Sequence, residues 1–293
     1  MFKIPESELI LDKRGAIYHL GVRPEELAKI IIVVGDPDRV KKVTRHFDRV
    51  ETTCRHREFI THTGYLGNKR ISVISTGIGP DNIDIALNEI DALANIDFEN
   101  RVIKTDFVPL HILRLGTSGS LQADIPVDEL VAGTHGLGFD NVMHYYAIEN
   151  NESEKKMIAD FKAHTGLQNG NVTPYIFSGS TSLLSLFGNS YHQGITVACP
   201  GFYGPQGRIL RLPLAYPGLI EKLTNFKTGN HRISNFEMES SAIYGLGRAL
   251  GHECLSLNVV VANRVTQQFS KDGDAAVEKL IKTSLEKIAD SNL

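Results

Sequence analysis

The sequence predicts an α/β fold: one domain over residues 1–293, built on a mixed, mostly parallel sheet with helices on its faces. Three observations carry that expectation. Short apolar runs rich in β-branched residues alternate with longer amphipathic stretches along the chain. No internal repeat, low-complexity tract or Pro/Gly-rich linker divides it. With 293 residues, 42% of them hydrophobic, the chain is long enough to bury a large core.

Residues 30–34 read as the first strand, a continuous Ile/Val run suited to burial on both faces. Residues 71–75, 112–115, 129–132, 195–198 and 257–262 repeat the pattern. Between the second and third strands, residues 80–96 set Ile83, Ala86, Leu87, Ile90, Leu93 and Ala94 on one helical face, with Pro80 suited to the first helical position. Residues 95–108, rich in Asp, Glu, Asn, Lys and Arg, read as an exposed excursion. Residues 238–250 form a second helix, with Ala242, Ile243, Leu246 and Leu250 on a stripe that ends at Gly251. Residues 276–289 form a third, with Val277, Leu280, Ile281, Leu285 and Ile288 inward.

A net charge of −3 and a pI near 6.4 give no reason to expect nucleic acid or an anionic membrane as partner. Cys54, Cys199 and Cys254 are odd in number, widely spaced and form no CxxC, so they read as thiols of a reducing compartment. The N-terminus has no apolar h-region, and no apolar run reaches about 18 residues. A soluble, cytoplasmic protein is the expectation, with no metal centre.

Chemistry is expected at the ends of the strands, where glycine-bearing turns recur. Val34-Gly35-Asp36-Pro37-Asp38-Arg39 lets the backbone approach a ligand and adds an anion-binding fork near a helix start. Ser75-Thr76-Gly77-Ile78-Gly79-Pro80 ends a strand and opens a helix. Arg114-Leu115-Gly116-Thr117-Ser118-Gly119 crowds an arginine, two hydroxyls and two glycines into what reads as a third turn. Each alone reads equally as ordinary turn punctuation. None matches GxGxxG after a strand or GxxxxGK[ST], so a free oxyanion such as phosphate suits them better than a dinucleotide.

Gly201-Phe202-Tyr203-Gly204-Pro205-Gln206-Gly207-Arg208 joins an aromatic face, an amide and a guanidinium in a loop that Gly and Pro keep irregular. Gln206 and Arg208 offer N–H donors and a carbonyl acceptor that match the edge of a small planar imide ring, and Phe202 offers a face for it to stack on. The plain alternative is a glycine-rich surface turn. In Phe236-Glu237-Met238-Glu239-Ser240, paired carboxylates near a helix start read either as caps or as a grip on vicinal hydroxyls. Met238, on a helix stripe, reads equally as core.

Together these segments resemble the nucleoside phosphorylases of the uridine phosphorylase type. Seven motifs stand in that family's order: GDPDR at 35–39, HREF at 56–59, STGIG at 75–79, RLGTSG at 114–119, FYGPQGR at 202–208, FEMES at 236–240 and ANR at 262–264. The resemblance implies a nucleoside phosphorylase-like fold and phosphorolysis of uridine, with deoxyuridine and thymidine as further candidates, to uracil and a pentose 1-phosphate. It places phosphate, the co-substrate, on Gly35, Arg39, Arg114 and Thr117, with Arg57 reaching in from a neighbouring subunit. Ribose falls to Met238 and Glu239, with His19 from the neighbour. Ser118 and Gly119 lie under sugar and base, Phe202 stacks on uracil, Gln206 and Arg208 read it, and Arg264 braces them. Arg208, Gln206, Arg114 and Glu239 are the catalytic set. His19 and Arg57 imply a homo-oligomer, a dimer with shared sites or three such dimers in a hexamer; as single residues they read equally as surface charges.

No organic cofactor is implied. A monovalent cation between subunits near Glu58 is the one ion the resemblance allows, and Asn82, in the Pro80-Asp81-Asn82 that replaces the family's small residues, weighs against it. The Gly204-Pro205 order and the stretches 95–108 and 188–193 are further departures, bearing on the specificity loop or the assembly. A purine phosphorylase or nucleosidase remains open as a second reading. Purine-specific relatives carry an acid where this chain has Asn263, and two phosphate-side arginines argue against water as nucleophile. A non-catalytic nucleoside-binding protein is the third, and it would be expected to have lost Arg114, Gln206 or Glu239.

Overall fold

The structure is a computed structural model that describes residues 2–167 and 171–293, apart from the side chain of Asn189. In chain order its strands are β1 (Ile30–Val34), β2 (Arg49–His56), β3 (Phe59–Leu66), β4 (Lys69–Ser75), β5 (Ile96–Asp97), β6 (Val102–Ile103) and β7 (His111–Ser120). They continue with β8 (Leu130–Gly138), β9 (Tyr175–Ser178), β10 (His192–Ala198), β11 (Lys227–Thr228), β12 (His231–Glu237), β13 (Glu253–Asn263) and β14 (Gln268–Phe269). The α-helices among the described residues are α1 (Pro37–Thr44), α2 (Pro80–Asn95), α3 (Glu152–Thr165), α4 (Thr181–Phe187), α5 (Leu219–Asn225), α6 (Ser240–Leu250) and α7 (Gly273–Ala289).

The expected α/β architecture and mixed sheet are present. Among the described residues, twelve strands form one sheet, with the main path β11-β12-β10-β8-β13-β7-β1-β4-β3-β2. Its middle is parallel: β4, β1, β7 and β13 run together, as do β8, β10 and β12. Antiparallel pairing enters at the β2–β3–β4 meander and where β13 meets β8. β12 also pairs with β7 at Asn235↔Ser120 and Phe236↔Gly119. The pairings β7–β13, β13–β8, β8–β10, β10–β12 and β12–β7 therefore close a ring of five strands.

The continuous apolar run of β1 follows from burial on both faces. Ile31 and Val33 join the core under α2 and α6, while Ile30, Ile32 and Val34 join the one under α1 and α7. A third core, with Phe161, Leu223, Phe226 and Phe236, lies between α3, α5 and the ring. α2 begins at Pro80, as its sequence requires, and buries Ile83, Ala86, Leu87, Ile90 and Leu93. α6 ends on Gly251 in the left-handed conformation.

Two expectations change. RLGTSG is not a turn: residues 114–119 are the second half of β7, held extended by pairing with β13 from His111↔Glu253 to Ser120↔Asn263. Its glycines serve close packing, because a methyl group at Gly119 would sit 3.0 Å from the Phe236 ring. The excursion at 95–108 is a β5–β6 ribbon with a structural task. Arg101 within it donates to the carbonyls of Ile4, Pro5 and Leu9 and so ties down the N-terminal segment. The stretch 188–193 packs against α7 through Tyr191, whose hydroxyl lies 2.9 Å from that of Ser284.

Candidate active site

The ends of β1, β4, β7, β12 and β13 converge on one cavity of about 750 Å³. Its wall includes Gly35 and Arg39 from the turn after β1, and Gly77, Ile78 and Asn82 from the turn and helix start after β4. Arg114, Thr117, Ser118 and Gly119 come from β7, and Phe202, Gln206 and Arg208 from the irregular loop after β10. Glu237, Met238 and Glu239 come from the end of β12. Arg39 and Arg114, separated in sequence, thus share a chamber with Gln206 and Arg208. β1, β4, β7 and β13 meet in this way because parallel strands point their C-terminal ends together, and β12 joins them through its antiparallel pairing with the end of β7.

Arg114 is buried and folds back along its own strand. Its guanidinium donates to Asn258 Oδ1 at 2.8 Å and to Glu239, and lies 3.3 Å from Glu237. The space it occupies exists because residue 116 is glycine: a methyl group there would stand 1.7 Å from Arg114 Nη1. Burial would push the Arg114 pKa down, but Glu239 and Glu237 reverse this and hold it above the ordinary arginine value. Arg39 donates to the Leu115 carbonyl at 3.2 Å. Burial, and then the like charge of Arg114, push its pKa down. An anion entering beside these two guanidiniums would relieve their mutual repulsion.

The two carboxylates divide the roles that their spacing left open. Glu237 is the cap: it accepts from the backbone N–H of Glu239 and Ser240 and from the Ser240 hydroxyl. Burial pushes the Glu237 carboxyl pKa up, against the pull of Arg114. Glu239 caps nothing with its side chain. It faces the cavity, accepting from the Gly79 N–H at 2.9 Å and from Arg114.

In the loop after β10, Arg208 lies over the Phe202 ring, 3.7 Å from its centroid. Its Nη1 donates to the Phe202 carbonyl at 2.7 Å and to Gln206 Oε1 at 2.5 Å, which fixes the amide. Burial, then the charge of Arg264, push the Arg208 pKa down. Arg264 is not in the cavity wall. It donates to the carbonyls of Gln206 at 2.9 Å and Gly207 at 3.3 Å, behind the loop. Asn263 is also turned away, bonding Gln122, Ile125, Val265 and Thr266 backbone groups, so β13 offers the cavity only Val261 and Ala262.

His19 and Arg57 lie outside this chain's cavity. His19 pairs with Glu89 through Nδ1 at 2.6 Å, beside Tyr18 and His56. Arg57 has a left-handed backbone (φ 53°) and is exposed, its guanidinium 5.8 Å from the Tyr18 ring. Glu58, named from the sequence only beside a possible cation, lines the cavity, and Phe236, Asn258 and Phe269 belong to the site or its frame without having been singled out. Phe269, exposed on the short β14, and Asn258, fully buried in β13, carry no motif of their own.

A protein-family model described as the phosphorylase superfamily matches residues 29–290. The chain belongs to the phosphorylase superfamily. Among curated relatives of this superfamily member, a uridine phosphorylase of Thermococcus kodakarensis is 29% identical over 278 residues, covering 93% of this chain and 86% of that protein. The Escherichia coli uridine phosphorylase is 28% identical over 265 residues, covering 87% and 89%. A solved nucleoside phosphorylase of Trypanosoma brucei, described as showing uridine phosphorylase activity, matches with a TM-score of 0.88 and 31% identity over 97% of this chain and 100% of that one.

Proposed function

We propose that this phosphorylase is a pentosyltransferase that splits uridine with inorganic phosphate, giving uracil and ribose 1-phosphate. The observation that carries the reading is the polarity of the cavity. Two guanidiniums, Arg39 and Arg114, and an amide–guanidinium pair, Gln206 and Arg208, line the same chamber as the Glu239 carboxylate. Relatives named uridine phosphorylase over most of the chain support the same substrate.

Phosphate binds on the Gly35 backbone, Arg39, Arg114 and Thr117, below the sugar. Glu239 accepts hydrogen bonds from ribose hydroxyls, with the Met238 backbone beside it. Uracil lies over Ser118 and Gly119 against Phe202, its polar edge toward Gln206 and Arg208. A phosphate oxygen forms the new bond to the anomeric carbon as the bond to the base nitrogen breaks. The electron pair leaves on uracil, spread over its carbonyl oxygens. Donors aimed at those oxygens stabilise the departing anion more than the neutral nucleoside. The phosphate charge steadies the cationic sugar while holding the nucleophile in place. Arg264 braces this arrangement from behind the loop.

His19 and Arg57, on a surface outside this chain's own cavity, serve the site of a second copy in a dimer. Uracil release from uridine, with and without phosphate and beside inosine, tests the reading. The expected result is release that requires phosphate, with inosine untouched. Release without phosphate would identify a nucleosidase, and turnover of inosine would overturn the pyrimidine assignment.

A further inference from the structure

Most polar side chains in the cavity wall are already engaged: Arg39, Arg114, Ser118, Gln206, Arg208, Glu237 and Glu239 all have protein partners. Among the described residues, Glu58, Asn82 and Thr117 line the cavity without a side-chain hydrogen bond. Thr117 has its place in the phosphate set, and Glu58 is exposed. Asn82 is different. It is half-buried, it stands on the first turn of α2, and its amide carries two donors and an acceptor toward the chamber.

The backbone around Asn82 is shaped to receive that amide. A methyl group at Gly77 would stand 2.4 Å from Asn82 Nδ2, and Gly77 itself adopts φ 73°, so only glycine leaves the amide its seat. Gly77 in turn abuts the phosphate-side turn, because a methyl group at Gly35 would lie 3.3 Å from its carbonyl oxygen. At the start of the same helix, the Gly79 N–H holds Glu239. Asn82 therefore sits between the phosphate-side turn and the carboxylate on the sugar side. It rests on a helix of 16 residues, not on a loop, which suits it to hold one fixed direction.

We infer that Asn82 is a substrate-contacting residue whose amide donates a hydrogen bond to an oxygen where phosphate and sugar meet. That oxygen belongs either to phosphate or to a ribose hydroxyl. The inference rests on the phosphorolysis reading and adds to it a neutral donor at the one place where the nucleophile and the reacting sugar must be held together. A neutral amide suits a site flanked by Glu58 and Glu239, because a further cation would compete with Arg114 for Glu239.

The test uses the full-length protein and the variants Asn82→Ala and Asn82→Asp. KM values for phosphate, uridine and 2′-deoxyuridine are measured, together with the rise in melting temperature produced by phosphate and by uridine. Loss of one hydrogen bond is expected to raise the affected KM by roughly 3- to 10-fold with a smaller change in kcat. If phosphate is the partner, the phosphate KM rises in Asn82→Ala and rises further in Asn82→Asp, whose carboxylate repels the anion. If a ribose hydroxyl is the partner, the uridine KM rises and the phosphate KM does not; a 2′-hydroxyl is recognised by an unchanged KM for 2′-deoxyuridine. All KM values within twofold of wild type in both variants would overturn the inference. So would parallel losses of activity and melting temperature with no change in KM, the mark of a purely structural residue. A wild-type protein inactive on uridine would count against the functional reading instead, and phosphate-induced stabilisation compared across the three proteins would still decide the role of Asn82.

Discussion

Arg208 lies in the aromatic corner of the cavity, stacked on Phe202 and clamped to Gln206. Under the proposed reaction, a guanidinium so placed would face the negative charge that develops on the leaving base and contribute mainly in the transition state. Arg208→Ala is accordingly expected to lower kcat on the order of 100-fold while raising KM far less. An increase confined to KM in steady-state kinetics would show that Arg208 only binds. At this scale the sequence was partly legible. Residue types and motif order sufficed to pick out Arg39, Arg114, Gln206 and Arg208, because each carries chemistry that a loop or strand end has little other use for. Glu237 and Glu239 could not be told apart, since two carboxylates two residues apart differ only in which one the backbone turns toward the helix N–H groups. The need for glycine at 116 was invisible, because it arises from an arginine two residues earlier on the same strand folding back.

Between elements, the approach of α6 to β8 sets where Glu239 stands. A methyl group at Gly136 would lie 2.7 Å from Ser241 Cα and 2.8 Å from the Ser240 carbonyl carbon. Both are backbone atoms of the first turn of α6 and cannot rotate away. Gly136→Ala is expected to cost about 2 kcal/mol of stability by overpacking and, by displacing the helix start next to Glu239, to raise the KM for uridine. Gly273→Ala, where a methyl group meets nothing within 4 Å and the backbone is already helical, is the matched control. Equal melting temperatures for the two variants would refute the packing argument. The legible elements are those with a one-sided apolar face: α2, α6, α7 and the buried strands. The β2–β3 ribbon escaped notice because β2 buries only Cys54, so no apolar run marks it. α3 escaped through its charged surface, although Asn151 and Glu154 form a capping box that a search for that spacing would find.

For the whole molecule, acid stability should bear the mark of His135. Its ring meets His231 nearly edge-on, with centroids 4.9 Å apart. Burial, then the neighbouring His231, push its pKa down to about 4, with Arg248 adding to this and Glu154 opposing it. Because the folded protein binds this proton less readily than the unfolded chain, the His135 contribution is intact above pH 6.5 and is lost as pH falls toward 4. The full effect is roughly 3 kcal/mol. Glu154 is held at about 2: burial pushes it up, but Arg248 and the Asn151 and Ser178 N–H groups outweigh that, so its own loss comes at lower pH. Melting temperatures between pH 7 and 4.5 should therefore fall less in His135→Asn than in the parent protein. An identical fall in both would exclude His135 as the cause.

The closed circuit of β7, β13, β8, β10 and β12 draws its members from stretches of chain more than a hundred residues apart. The ring strands lie within residues 111–263. The chamber wall also takes Gly35, Arg39, Gly77 and Asn82 from before them and Phe269 from after them, so no short fragment of the polypeptide encloses the chamber. Catalytic competence is thereby all-or-none with respect to assembly: a partly folded chain has no weakened pocket to offer, only an open one.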